Sequence, residues 1–251
     1  MKSFFSKKKK SEATVLPKQE RALILSDRAS FHIKEAYKAT RTNTMFSIAE
    51  KGCKKIVVTS SFPGEGKSTT CINLAITFGQ TGSKVLIVDA DLRKPTVHRK
   101  LDVQNTQGLA HLLGHFNEIE EVIIPTKYEN LDVITSGHIP PNPAELLASE
   151  TMGVILKKLS EKYDYIFIDT PPLNMVTDAT VLSTAVSGTV LVVREGVTHH
   201  KDMQDALSKL EFANAKVLGL ILHGVKENQK GYYGKYSRYG YSRDAYAVYE
   251  Q

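Results

Sequence analysis

The sequence predicts an α/β protein built on a mostly parallel sheet with helices on both faces. Short apolar runs rich in β-branched residues recur along the chain at 56–58, 85–88, 131–137, 165–168, 188–194 and 217–224. Helical patterns of about ten to fifteen residues lie between them, the alternation expected of parallel strands joined by crossover helices. Several runs end in an aspartate or a glycine loop, which places polar chemistry at the C-terminal ends of strands, where open parallel sheets bind ligands.

The chain has 251 residues, 41% of them apolar and 24% charged, which fits one such domain with tails. No apolar run reaches the length of a membrane-spanning helix, and MKSFFSKKKK has too short an apolar piece for a signal peptide. Cys53 and Cys71 form no metal or disulfide spacing, so a reducing, cytoplasmic location is expected. The formal net charge of +6 gathers at the ends, in Lys7–Lys10 and in Lys226, Lys230, Lys235, Arg238 and Arg243. Basic ends suit anionic lipid or an acidic partner, and equally a solvated arm. No basic stripe or reader motif runs through the body, so no nucleic acid is expected as a partner.

In chain order, residues 1–30 carry little periodic signal and read as a flexible basic lead-in. From Phe31 to about Glu50 an amphipathic helix is expected, with Ile33, Tyr37, Thr40, Thr44 and Ile48 on its inner face. Glu35, Lys38 and Arg41 are three apart and form one charged ridge, as a solvated helix face would. KKIVVTSSFPGEGKSTTCINLAITFG, Lys54 to Gly79, reads as strand, glycine loop and helix, and it organises the rest. Glycines let successive peptide N–H groups curl inward toward phosphate oxygens, and the helix opening at Lys67 adds its positive dipole end. In this motif Lys67 reaches the β- and γ-phosphates and the Ser68 hydroxyl ligates Mg²⁺. The strict pattern has glycine where this chain has Ser61.

The next strand, Val85 to Val88, runs into Asp89 and Asp91. A D-x-D pair in extended backbone points both carboxylates the same way, and a cation beside them removes their repulsion. Thr96 to Tyr128 reads as helices and loops, Leu131 to Gly137 as a strand. Asn142 before Pro143 signals a helix start. A helix from about Thr151 to Tyr163 leads to the strand Tyr165–Ile168, which ends in Asp169 and is broken by Thr170-Pro171-Pro172. An aspartate there has the Walker B form, whose carboxylate orders Mg²⁺. Helices to Val186 and from about His199 to Asn214 flank Gly188–Arg194, and Val217–Gly224 closes the core, giving a domain over 31–225. Residues 226–251 then hold almost no aliphatic residue but seven of the eleven tyrosines, Tyr232, Tyr233, Tyr236, Tyr239, Tyr241, Tyr246 and Tyr249. This composition reads as a disordered tail, whose tyrosines are stickers for a partner or substrates that enter an active site.

SSFPGEGKST, LIVDADLRKP, IFIDTPP, SGHIPPNPAELL and the tyrosine-rich tail together resemble the bacterial tyrosine kinases of capsule and exopolysaccharide synthesis, from about Phe31 onward. That resemblance implies a three-layer P-loop NTPase fold, unrelated to eukaryotic protein kinases, that uses ATP and Mg²⁺ to phosphorylate tyrosine. It implies nucleotide contacts from Ser61, Pro63, Gly64, Glu65, Gly66, Lys67, Ser68 and Thr69, with His223 at the position beside the adenine. Ser68, Asp91 and Asp169 would hold Mg²⁺, and Asp89 would accept the proton of the incoming tyrosine. The seven tail tyrosines would be autophosphorylation sites. The family's oligomerisation helix carries E-x-x-R-x-x-R; here Glu35, Lys38 and Arg41 stand in those places, and lysine lacks the planar fork of arginine. The resemblance further implies a ring-like homo-oligomer, a membrane-anchored activator or chain-length regulator protein, a cognate phosphotyrosine phosphatase and protein-tyrosine substrates. Localisation would be cytoplasmic, at the inner face of the membrane through the activator. The competing resemblance, to positioning ATPases of the MinD/ParA kind, shares fold and loop. Those proteins carry a signature lysine where this chain has Phe62, and they lack the tyrosine cluster.

Overall fold

The computed structural model describes residues 23–225. Its elements in order are α1 (Phe31–Phe46), β1 (Lys54–Ser60), α2 (Lys67–Gly79), β2 (Val85–Asp89), α3 (Val97–Leu101), α4 (Leu109–Leu113), α5 (Ile119–Val122), β3 (Ile124–Pro125), β4 (Leu131–Ile134), α6 (Pro143–Leu147), α7 (Glu150–Ser160), β5 (Tyr165–Asp169), α8 (Asp178–Ser183), β6 (Gly188–Arg194), α9 (His200–Phe212) and β7 (Val217–His223). The strands form one sheet in the order β3-β4-β2-β5-β1-β6-β7. Every pairing is parallel except β3 with β4. This is the expected α/β architecture.

The central strands are buried on both faces, so their apolar runs are continuous rather than alternating. Within each run the period of two still sorts residues by face. Ile56, Val58, Ile87 and Phe167 pack with α2 and the edge of α3, while Val57, Leu86, Val88, Ile166 and Ile168 pack beneath α4 to α8. A smaller cluster joins α9 to Leu191 and Val193. The result is three layers. By the same alternation Asp89 and Asp169 emerge on the α2 face, two residues beyond Ile87 and Phe167. They stand directly opposite each other in the β2–β5 register.

Several expectations change in detail. Helix α1 ends at Phe46, not near Glu50, capped at Ser30 by an Oγ that accepts from the Ile33 N–H. Ile33 is 49% exposed although the helical spacing placed it on the inner face; Thr44 and Ile48 are buried. The strand expected over Leu131–Gly137 stops at Ile134, and the short antiparallel β3 was not foreseen. Nor is the lead-in to residue 30 wholly separate from the domain: Ile24 and Leu25 are core residues. Buried Asn73 of α2 ties them down, accepting from the Leu25 N–H and donating to the Leu23 carbonyl. The expected substrate tyrosines, Tyr232 to Tyr249, and the basic block Lys7–Lys10 lie outside the described residues.

Candidate active site

The connection from β1 to α2 is the expected glycine loop. Gly64 (φ +85°) and Gly66 (φ +96°) adopt left-handed backbone, which lets the chain curl before α2 begins at Lys67. Gly66 is also a place of close approach: a Cβ there would stand 2.4 Å from Cδ2 of His223. Pro63 and Gly64 are exposed at the loop tip, while Ser61, Glu65, Ser68 and Thr69 are buried. The segment after β5 is stitched to the end of β1. Thr59 Oγ1 donates to the Pro171 carbonyl, Thr170 Oγ1 to the Val58 carbonyl, and the Leu173 N–H to the Ser60 carbonyl. The Thr-Pro-Pro break therefore fixes the floor beside the loop.

Lys67 gathers the acidic residues. Its Nζ lies 2.8 Å from Asp91 Oδ2 and 3.7 Å from Asp169 Oδ1, and donates to Ser68 Oγ at 3.3 Å. Asp89, the last residue of β2, is fully buried and accepts long bonds from the N–H groups of Asp91 (3.3 Å) and Val97 (3.2 Å). Asp91 Oδ1 accepts from the Lys94 N–H, turning the chain after the D-x-D pair. Two strand-end carboxylates in register, with a third beside them, make a strongly negative enclosed site. Burial and the neighbouring Asp169 push the Asp89 carboxyl well above the usual carboxylate range, and burial raises Asp169 as well. Burial alone would lower the Lys67 ammonium, but Asp169 and Asp91 outweigh it and hold its pKa above the usual lysine value.

His223, at the end of β7, presents its ring to Gly66, with Nδ1 3.5 Å from Thr70 Oγ1. Burial, then Arg194 and Lys100, lower its pKa, so the ring is neutral near pH 7. The position expected beside the base thus packs on the loop's last glycine. Arg93, just past the D-x-D pair, makes a bidentate contact with the wholly buried Asp178 of α8 at 2.9 and 3.0 Å. The reading of motifs missed Arg93, Arg194 and Thr198. Arg194 stands at the C-terminal end of β6, a position that the strand-end rule alone flags.

The charged ridge of α1 is resolved differently. Lys38 Nζ donates to Glu35 Oε1 at 2.7 Å, and Arg41 Nη1 turns inward to the Thr77 carbonyl of α2 at 2.7 Å. Glu35 and Lys38 are half-exposed and Arg41 is partly buried.

Whether the site suits a divalent cation can be judged from Asp169. Both its carboxylate oxygens are buried and make no hydrogen bond of normal geometry, with the Ser68 hydroxyl beside them and Lys67 Nζ 3.7 Å from Oδ1. Orphaned carboxylate oxygens facing a hydroxyl and a second aspartate form the hard oxygen set that Mg²⁺ takes, with one or two carboxylates and the remainder water or phosphate. The residues fit the ion.

Comparison with known proteins agrees with this geometry. Residues 53–210 match the family model described as an AAA domain. Over 202 residues the chain is 43% identical to the tyrosine-protein kinase YwqD of Bacillus subtilis, covering 80% of this chain and 85% of that protein. It is 38% identical to the putative tyrosine-protein kinase CapB of Staphylococcus aureus, covering 89% and 97%. The chain belongs to the bacterial tyrosine-protein kinases. Among solved structures, the chimerical protein CapA2B2 superposes with a TM-score of 0.76 at 39% identity, covering 80% of this chain and 88% of that one. The septum site-determining protein MinD of Pyrococcus horikoshii, complexed with Mg-ADP, reaches a TM-score of 0.59 at 27% identity, covering 70% and 72%. The fold is thus shared with the positioning ATPases, while the family is that of the kinases. This chain is a protein-tyrosine kinase on a P-loop, nucleotide-binding fold.

Proposed function

We propose that this kinase transfers the γ-phosphoryl group of ATP to tyrosines of its own C-terminal segment, between subunits, and so regulates capsule or exopolysaccharide synthesis. The observation that carries the catalytic part is the convergence of Asp89, Asp91 and Asp169 on Lys67 at the mouth of the glycine loop. The glycine-loop residues Ser61 to Thr69 cradle the phosphates, Lys67 Nζ binds their charge, and His223 packs against the loop near the base. Ser68, Asp91 and Asp169 would hold Mg²⁺, which would supply charge neutralisation on the transferred group. Asp89 takes the phenol proton as the tyrosine oxygen bonds to phosphorus and ADP leaves. A phenol of pKa near 10 must lose its proton during transfer, and the ionised form of Asp89, which Lys67 favours against its acidic neighbours, is the acceptor. Each oxygen of Asp89 makes one long backbone bond, which leaves a second lone pair on each for that proton.

The domain plan that goes with this reading is a basic lead-in, a kinase domain ending near residue 225, and a tyrosine-rich substrate segment at 226–251. Other parts of the reading rest on resemblance. These are a membrane-anchored activator that brings the chain to the inner face of the membrane, a ring-like homo-oligomer contacted through Glu35, Lys38 and Arg41, and a phosphatase that resets the tail. The likeness to the chimerical protein CapA2B2 supports an activator in two-part systems of this kind. The test is incubation with Mg-ATP, with and without the cytoplasmic segment of a candidate activator, followed by mapping of phosphotyrosine by mass spectrometry. Label at Tyr232–Tyr249, lost in Lys67→Met and strongly slowed in Asp89→Asn, supports the reading. Undiminished label in Lys67→Met contradicts it.

A further inference from the structure

A carboxylate inside a phosphate-binding loop is an electrostatic oddity, since the ligand is itself an anion. Glu65 occupies such a position and is only 2% exposed. Both of its oxygens are engaged. Oε2 accepts from the Phe62 N–H at 2.8 Å, closing the loop on itself, and Oε1 accepts from Thr198 Oγ1 at 2.6 Å, 133 residues away. The Thr198 hydroxyl has one proton and gives it to Glu65, because its oxygen already accepts the Arg194 N–H at 2.8 Å. Arg194 makes the second attachment, its Nη1 donating to the Gly64 carbonyl at 2.8 Å. The turn that presents both residues is itself closed by bonds from the Val197 and Thr198 N–H groups to the Arg194 carbonyl. The Glu195 N–H donates to the His223 carbonyl, joining the turn to the strand whose histidine packs on Gly66.

Planarity gives these bonds a direction. The Gly64 carbonyl and the Glu65 N–H belong to one trans peptide and point opposite ways. With the carbonyl held by Arg194, the Glu65 N–H is aimed away from that arginine. We propose that Thr198 and Arg194 are positioning residues: through Glu65 and the Gly64 carbonyl, the β6–α9 turn presets the phosphate loop for nucleotide. The glutamate's charge is partly met by the two donors it accepts, the Phe62 N–H and the Thr198 hydroxyl. Preorganised N–H groups bind an anion without paying for ordering at that moment.

This inference rests on the nucleotide reading of the loop, and the experiment separates the two. A fluorescent ATP analogue with Mg²⁺ is titrated into the parent, Thr198→Val, Thr198→Ser and Glu65→Ala chains and the Glu65→Ala/Thr198→Val double variant. Hydrogen exchange of the 61–66 peptide is followed in the same chains without nucleotide. Thr198→Val, nearly isosteric, is expected to weaken binding on the order of tenfold and to raise KM for ATP far more than it lowers kcat. Thr198→Ser, which keeps the hydroxyl, is expected to stay within about twofold of the parent. In the Glu65→Ala background the Thr198→Val change is expected to add little, because the two residues act through one contact. The loop peptide exchanges faster in Thr198→Val. Parent-like affinity and exchange in Thr198→Val, or fully additive effects in the double variant, overturn the proposal. A parent chain that fails to bind the analogue overturns the nucleotide reading, and the inference with it, even if loop exchange still responds to Thr198.

Discussion

Lys67 carries an unusual electrostatic burden for one side chain, standing among three carboxylates that are almost entirely buried. Its stabilising effect is complete below the ordinary lysine range and is lost only as pH rises beyond it, since its folded pKa is raised. Lys67→Met leaves Asp91 and Asp169 without their ammonium. It is expected to lower stability at pH 7 by about 3 kcal/mol, within the range for breaking a buried ion pair. The deficit should narrow as pH falls, because burial raises the Asp169 carboxyl and it takes up a proton more readily, and thermal unfolding at pH 7 and pH 5 checks this. Asp89 has the same direction in a lower pH window. Its folded pKa lies above the unfolded value near 4, so the folded state binds the proton longer and stability falls as pH rises through that window. Asp89→Asn is therefore expected to flatten the decline of melting temperature between pH 5 and pH 8 relative to the parent. An unchanged slope would mean that burial does not raise the Asp89 carboxyl.

At the scale of elements, α2 is the piece on which the others depend. Every residue from Ser68 to Gly79 is buried, and the helix carries Lys67 at one end and Asn73 in its middle. Asn73→Ala removes the acceptor and donor that hold Leu23 and Leu25. The expected cost is about 2 kcal/mol, chiefly from the buried Leu25 N–H left unpaired, measured by denaturant unfolding. Helix α1 is joined to α2 by the Arg41 contact with Thr77, which leaves Glu35 and Lys38 as the outward part of its ridge. Charge reversal at Glu35 is expected to yield monomers by light scattering, as a ridge that joins subunits requires. A parent that is itself monomeric would leave the ridge a solvated face.

What was legible in the sequence, and what was not, divides along physical lines. The strands, the glycine loop, Asp89, Asp91 and Asp169 were visible because strand ends and phosphate loops are local patterns with fixed spacing. Arg194, Thr198 and the strut through Glu65 were not, because a contact across 133 residues leaves no local trace. Ile33 was misplaced for a related reason: helical spacing defines a stripe, and only the neighbouring layer decides how wide that stripe is. The burial of Ile24 and Leu25 was hidden because a two-residue apolar pair has no period.

For the whole molecule, the sheet order brings five strand ends into one rim: Ser60, Asp89, Asp169, Arg194 and His223. Phosphate loop, acidic cluster and base-side histidine thereby share one edge of a rigid core. On the proposed reading such a core would hold phosphates and metal, and the group that receives the phosphoryl comes from elsewhere. The tyrosines of 226–251 follow β7 directly, and heavy phosphorylation there adds roughly −1.5 to −2 charges per residue, enough to overturn the formal +6 of the chain. A basic, unmodified segment suits a neighbour's acidic site; a phosphorylated one is repelled from it, so self-association should weaken as labelling proceeds. The most direct measurement mixes a full-length Lys67→Met chain with an active chain truncated after Val225, in Mg-ATP and with an activator segment, and maps phosphotyrosine by mass spectrometry. The account predicts label on Tyr232–Tyr249 of the inactive chain. No label on that chain, with full-length active protein labelling itself at a rate independent of concentration, would contradict transfer between subunits.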